Sequence, residues 1–398
     1  MAAKIETIPE GTVTSPEGFF AGATSAGINK KAEDKPDLGI LFSEAPCVAA
    51  GVFTGNRIKA APVVLTQERL KKGKAGAVVV NSGCANACTG EQGMEDATQM
   101  AELAAGGVGL LPEQVLVAST GVIGVPLPMK QIASAIEQVV LSREGGHELA
   151  RAMMTTDTFA KETAVRVKAG GSEFTIGGVA KGSGMIHPDL ATLLCFITTD
   201  AAVEKDFLQE ALKKAVDISF NMVSIDGDTS PNDMVLLLAN GRAGVKAPDA
   251  FGQALAQVCT YLAKCIAYDG EGASKLIEVV VSGARSMAEA RLAARTIVSS
   301  PLVKAAIHGA DPNWGRVMMA LGRSGAEVEE AKTELYIGNI QLVKAGASLP
   351  FNKRGVIRLL EGKEVAVRLN LNLGSGSATA WGCDLSEEYV TINSQYMT

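Results

Sequence analysis

The stretch KGSGMIHPDLATLLCFITTDA (181–201) sets a lone threonine, Thr192, between a turn rich in Gly and Pro and a continuous apolar run. A threonine hydroxyl is a weak nucleophile unless a base stands beside it. One solution is a threonine at a chain N-terminus, whose own α-amine takes the proton. With a reference pKa of about 7.7–8.0, that amine is neutral often enough near pH 7 to serve. The arrangement needs no His, which suits a chain with only 3 of them. An internal threonine gains the amine only if the preceding peptide bond breaks. Thr192 could attack the Ala191 carbonyl, shift the acyl group from N to O, and let water hydrolyse the ester. Small Ala191 leaves room for the attack, and Gly182, Gly184 and Pro188 are expected to hold the segment in an unrelaxed geometry. Read from these residues alone, a Thr at the start of a buried strand is also an ordinary β-branched strand residue. Both readings stand at this point.

Other chemistry finds little support. There is no G-x-G-x-x-G fingerprint, Walker A loop or G-x-S-x-G elbow. His147, His187 and His308 are far apart and lack zinc spacing, and Cys84 and Cys88 have no second pair to complete a site, so no metal is expected. IDGDTSPND (225–233) alternates acids like a calcium loop. Counting from Asp226, however, Pro231 stands where the loop's Gly belongs and Leu237 where its bidentate Glu belongs. It reads as a solvated turn that caps neighbouring backbone groups.

The elements that must position Thr192 follow from periodicity. AGAVVVNSG (75–83), QVLVASTGVIG (114–124), ATLLCFITTDA, DMVLLLANG and KLIEVVVSGA read as strands, the first and third as buried ones. EFTIGGVAKGSGMI (173–186) reads as a hairpin. Helices are expected over EDATQMAELAAGGVGL, PMKQIASAIEQVVLSR (128–143), GHELARAMMTTDT, EKDFLQEALKKAVDISFNM and PDAFGQALAQVCTYLAKCIAYDG. A further helix, SMAEARLAARTIVSSPLVKAAIHG, is broken at Pro301. From about 325 the chain alternates in the strand manner, ending in EYVTINSQY. Without regular β-α alternation, the fold class is α+β.

Composition bounds the rest. At 47% hydrophobic and 20% charged, 398 residues can bury a large core and form one to three domains. A net charge of −6 with no basic stripe argues against nucleic acid. No apolar run reaches the roughly 18–20 residues a bilayer span needs. The polar N-terminus lacks an apolar signal segment, so a cytoplasmic protein is expected. Seven scattered Cys read as small buried hydrophobes rather than a disulfide framework.

KGSGMIHPDLATLLCFITTDA closely resembles the cleavage-site signature of the ornithine acetyltransferase family, the bifunctional glutamate N-acetyltransferases. VNSGCANACTG, ASTGVIG, TTDTFAK, DGDTSPND, DPNWGR and the ending YVTINSQYMT resemble that family in the same order along nearly the whole chain. Asp189-Leu190 stands where the family has Asn-Met, leaving the scissile Ala191-Thr192 pair intact.

The resemblance implies a self-cleaved enzyme of arginine biosynthesis with fragments 1–191 and 192–398, assembled as an α2β2 heterotetramer. Acetyl would pass from N-acetylornithine to glutamate through acetyl-Thr192, with acetyl-CoA as a further donor and no cofactor. It implies an oxyanion hole at Thr120 and Gly121 and substrate contacts at Thr158, Lys181, Glu271, Asn393 and Thr398. It also implies a layered α/β/β/α-type sandwich of the aminopeptidase-like kind, with a catalytic domain over 1–285 and a smaller strand-rich domain over 286–398. Two other readings remain beside it. One is an N-terminal-nucleophile aminopeptidase or amidase using the same threonine. The other is a binding protein in which the 181–201 stretch is only a turn before a core strand.

Overall fold

The computed structural model describes residues 3–29, 35–187, 193–246 and 248–395. Its first half builds β1 (Lys4–Thr7), β2 (Phe19–Thr24), β3 (Leu38–Phe53), α1 (Ala61–Leu70), β4 (Lys74–Asn81), α2 (Gly90–Val108), β5 (Val115–Ser119), α3 (Met129–Ile136), α4 (Gly146–Met153), β6 (Lys161–Ala169) and β7 (Ser172–Lys181). Next come β8 (Leu194–Thr199), α5 (Lys205–Asp217), β9 (Val223–Ser224), β10 (Met234–Ala239), α6 (Pro248–Tyr268), β11 (Leu276–Ala284), α7 (Met287–Val298), α8 (Pro301–His308) and α9 (Trp314–Gly322). The last part holds β12 (Glu334–Ile337), β13 (Ile340–Lys344), β14 (Ala347–Ser348), α10 (Lys353–Leu360), β15 (Glu364–Asn370), β16 (Gly376–Cys383) and α11 (Glu387–Gln395).

Among the described residues the strands form two sheets. One runs β1-β6-β7-β8-β10-β3-β4-β5, with β2 also paired to β3; the other runs β14-β13-β12-β15-β11-β16-β9. The architecture is α+β. Helix α6 packs on β6 and β7 of the first sheet and on β16 and β9 of the second.

β8 and β10 are buried on both faces, which is why they read as unbroken apolar runs. Their alternate residues serve different cores. Cys195, Ile197, Val235 and Leu237 join α5 and α6, while Leu194, Phe196, Leu236 and Leu238 join the cluster that includes Leu149 and Met153 of α4.

Three expectations need correction. EYVTINSQY is helix α11, not a strand. Ser386 accepts the Tyr389 N–H from the cap position, and Glu387 and Glu388 fill the first turn, where the helix dipole favours negative charge. Residues 173–186 are not a hairpin. The hairpin is β6–β7, and the chain leaves the sheet after Lys181. The helix expected over 128–143 stops at Ile136, because the chain turns away to pair Ser142 with Ala21 of β2 through two backbone hydrogen bonds of 2.8 and 2.9 Å. No described helix is long and apolar enough to cross a membrane.

Candidate active site

Ser119-Thr120-Gly121 leaves β5 against the loop Ser82–Cys88. Asn81 ties the two together: its side chain donates to the Cys84 carbonyl (2.9 Å) and accepts from the Ser119 hydroxyl (2.6 Å), and its carbonyl takes the Thr120 N–H (3.0 Å). Gly121 has φ +130°, and a Cβ there would lie 2.3 Å from the Gly83 carbonyl carbon and 2.5 Å from Cys84 N. Only glycine satisfies both the conformation and the space. VNSGCANACTG is therefore the backbone surface on which this turn is moulded.

Lys181 ends β7 directly opposite Leu194 of β8, two residues beyond Thr192. It is buried rather than facing solvent. Its Nζ donates to Thr155 Oγ1 (2.9 Å) and Thr120 Oγ1 (3.4 Å) and lies 3.9 Å from the Asp157 carboxylate. Because Thr120 accepts from the lysine, its own O–H remains able to donate. Burial pushes the Lys181 ammonium down from its ordinary value, against Asp157, which pulls it up.

Beneath Lys181 lies a charge network that sequence reasoning missed. Asp157 Oδ1 accepts from Lys161 Nζ and from the Gly182 N–H, both at 2.7 Å. Lys161 Nζ also donates to Asp269 Oδ2 at 2.5 Å, and Asp269 in turn holds the Thr158 N–H and hydroxyl. Lys161 and Asp157 have no exposed side-chain surface. Burial pushes the Asp157 carboxyl up, but Lys181 and Lys161 outweigh it and hold it below the usual range.

Glu271 follows the end of α6. Its N–H donates to the Ser183 carbonyl (2.8 Å), and its carboxylate packs so closely on Gly184 that a Cβ there would lie 2.4–2.6 Å from it. Asn393, on α11, donates to Glu271 Oε2 at 2.8 Å. A Cβ on Gly272 would meet Tyr389 N at 2.4 Å, so this glycine lets α11 seat against the loop that carries Glu271.

The segment IDGDTSPND is solvated only around Gly227 and Asp228. Ser230, Asn232 and Asp233 are buried. It does cap backbone groups, and on both sides of residues 188–192. Asp226 accepts from Met185 N (2.5 Å) and Ile186 N (2.9 Å), and Asp233 accepts from Leu193 N (2.8 Å). Asn232 Nδ2 binds the carbonyls of Ala85 (2.7 Å) and Ser119 (2.8 Å), joining this loop to the Thr120 turn. Met185 sits at φ +57°, a costly conformation for a long side chain; Gly184 is not in that region. Of the residues expected to hold the segment unrelaxed, Gly182 sits at φ +152° and Pro188 lies outside the described residues; Met185, next to the Asp226 clamp, is a strained position that the sequence did not mark.

Thr120, Gly121, Lys181, Glu271 and Asn393 line one narrow pocket of about 90 Å³, together with Thr155 and Thr156. Thr158 does not line it, since its hydroxyl is bound to Asp269. Ala191, Thr192 and Thr398 lie outside the described residues. Among the described residues, no group of three His, Cys, Asp or Glu is placed to hold a metal ion. The pocket offers hydroxyl and N–H donors, one buried ammonium and one half-buried carboxylate. That set can hold a small molecule bearing both signs of charge while stabilising an oxyanion.

Residues 20–398 match the model of the ArgJ family. The arginine biosynthesis bifunctional protein ArgJ of Dehalococcoides mccartyi (strain CBDB1) is 51% identical over 405 residues, covering 100% of this chain and 100% of that protein. The protein of the same name from Symbiobacterium thermophilum is 54% identical over 397 residues, covering 98% and 99%. A solved ornithine acetyltransferase complexed with ornithine, from Mycobacterium tuberculosis, is 38% identical, covers 48% of this chain and 100% of that one, and superposes with a TM-score of 0.43.

Proposed function

The chain belongs to the ArgJ family, and from that premise we propose that it transfers acetyl from N-acetylornithine to glutamate through an ester on Thr192. Before turnover the chain cuts itself between Ala191 and Thr192. The Thr192 hydroxyl then attacks the acetyl carbonyl while its proton passes to the α-amine. The new C–O bond forms as the carbonyl π pair moves to oxygen, and Thr120 Oγ1 and Gly121 N–H stabilise the resulting oxyanion. Collapse breaks the C–N bond, the α-ammonium returns the proton to the departing amine, and ornithine leaves. The glutamate amine then attacks the acetyl ester and gives a proton to the α-amine; the C–O bond to Thr192 breaks, the threonine oxygen recovers that proton, and N-acetylglutamate leaves.

Lys181 pairs with a substrate carboxylate, and Glu271 with Asn393 receives the ornithine ammonium. Acetyl-CoA serves as a second donor to the same threonine. No cofactor takes part, and two copies of each fragment assemble in the cytoplasm. The observation that carries this reading is the register of β7 with β8. It sets Lys181, and through it Thr120, across from the residues that immediately follow position 192.

The test is direct. Denaturing electrophoresis of the purified protein gives two bands split after residue 191, and mass spectrometry during turnover with N-acetylornithine finds acetyl on the peptide that begins at Thr192. Thr192→Ala stays uncut and inactive, while Thr192→Ser cleaves in part. An active Ala variant, or hydrolysis without transfer to glutamate, overturns the reading.

A further inference from the structure

Lys181 is a cation set into the interior. Its side chain is only 4% exposed, and its hydrogen bonds go to two hydroxyls, Thr155 Oγ1 at 2.9 Å and Thr120 Oγ1 at 3.4 Å. Neutral partners do not balance a buried charge. Lysines buried without a counter-charge give up the proton at pH values down to about 5–6, and a neutral amine no longer pairs with a carboxylate. Among the described residues, Asp157 is the only acidic group within 4 Å of the Lys181 ammonium, its Oδ2 lying at 3.9 Å.

Asp157 also holds the groups that aim this ammonium. Oδ2 accepts the Thr155 N–H at 3.0 Å, fixing the residue whose hydroxyl receives Lys181. Oδ1 accepts the Gly182 N–H at 2.7 Å, fixing the peptide that follows Lys181. Thr155 and Lys181 line the pocket; Asp157 does not, and its side chain has no exposed surface. Lys161 from β6 shares the carboxylate through Oδ1 at 2.7 Å, and Asp269 offsets that second cation. Of the other described charges that bear on Lys181, Asp233 before β10 and Glu271 after α6 add to the pull of Asp157, while Lys161 and Lys35 oppose it. We propose that Asp157 is a positioning residue that keeps Lys181 charged and aimed into the pocket, and so sets the alkaline end of the pH range over which the site takes a carboxylate-bearing acetyl donor. This rests on the reading in which Lys181 pairs with a substrate carboxylate. Asp157 acts through Lys181 and touches no substrate.

Steady-state kinetics across pH test this. The carboxylate favours the charged lysine, so its loss makes Lys181 shed its proton at lower pH, and KM for N-acetylornithine climbs where the lysine is neutral. In Asp157→Asn, which keeps an acceptor for Lys161 and Gly182, that climb is expected about one pH unit or more below its wild-type position. The kcat at saturating donor keeps the wild-type profile. A KM raised evenly at every pH, with the climb in place, marks a merely structural role and overturns the proposal. Adding Lys181→Arg to Asp157→Asn supplies a cation that does not titrate, and KM should become level with pH. A climb that persists in this double variant also overturns the proposal.

Should the variants not fold, the wild-type enzyme decides. Its KM is expected to stay level across neutrality, because the buried lysine has its counter-charge. A wild-type KM that already climbs below about pH 7 is the behaviour of an uncompensated buried lysine and overturns the proposal. Lys181→Met separates the two readings. If it leaves KM unchanged, the pairing of Lys181 with substrate fails, and the parent reading with it. If it raises KM while Asp157→Asn leaves the climb in place, this inference alone fails.

Discussion

Replacing Lys161 with methionine removes the only cation among the described residues that touches both Asp157 and Asp269, at 2.7 and 2.5 Å. All three side chains are almost wholly buried. Breaking a buried pair by deleting one partner costs about 3–5 kcal/mol, mostly because a charge is left uncompensated. Here the compensation is partial. Asp157 keeps the Gly182 and Thr155 N–H groups and Lys181 at 3.9 Å, and Asp269 keeps both groups of Thr158. The expected loss therefore falls at the lower end, about 3 kcal/mol. It is read from the urea midpoint at an unchanged m-value. Asp269→Asn added to Lys161→Met removes one stranded charge and should restore part of the loss.

The gap between wild type and Lys161→Met also depends on pH. The folded Asp157 carboxyl lies below its unfolded value, so its contribution is present above that value, about 4, and fades as pH falls through the folded one. The gap should narrow below about pH 4. A single variant within about 0.5 kcal/mol of wild type, or a double variant worse than the single, refutes the network as a stabilising unit.

Gly121→Ala forces a Cβ to 2.3 Å from the Gly83 carbonyl carbon and displaces the N–H proposed as an oxyanion donor, so kcat should fall about 10²–10³-fold with the fold retained by circular dichroism. Gly184→Ala instead meets the tip of the Glu271 side chain, which can move. Stability should change little while the KM for N-acetylornithine rises several-fold, checked by steady-state kinetics beside thermal melting.

What could be read in advance followed local rules. β4, β8 and β10 announce themselves as continuous apolar runs because they are covered on both faces. Helix α11 misled because Tyr389, Val390 and Ile392 belong equally to a short strand, and the decisive signals, Ser386 and two acids, stand before the alternation. The Lys161 network was half visible. Asp157 and Lys161 are spaced four apart inside TTDTFAK, but Asp269 is 108 residues further on, and nothing local marks it as a partner. The same holds for Asp226 and Asp233. Their acids looked solvated because the chain gives no sign of which backbone groups the tertiary fold will bring to them. Nor does the sequence show that Asp269 engages Thr158, while its neighbours Thr155 and Thr156 line the pocket.

The order of the first sheet bears on how an enzyme could survive cutting its own chain beside its nucleophile. A break between Ala191 and Thr192 leaves β1 to β7 on one fragment and β8 and β10 on the other. In the sheet those two strands are not at an edge. They lie between β7 and β3, so both flanking ladders cross from fragment to fragment. Six residue pairs join β7 to β8 and six more join β10 to β3. The faces of β8 and β10 add to both cores, and Lys161 of one fragment is salted to Asp269 of the other. Pulling the fragments apart would expose two central strands with all their ladder groups and apolar faces, which is unfolding rather than dissociation. A cut at that point would therefore release a chain end without releasing the chain. Asp226 holds residues 185 and 186 on one side of it, and Asp233 holds residue 193 on the other.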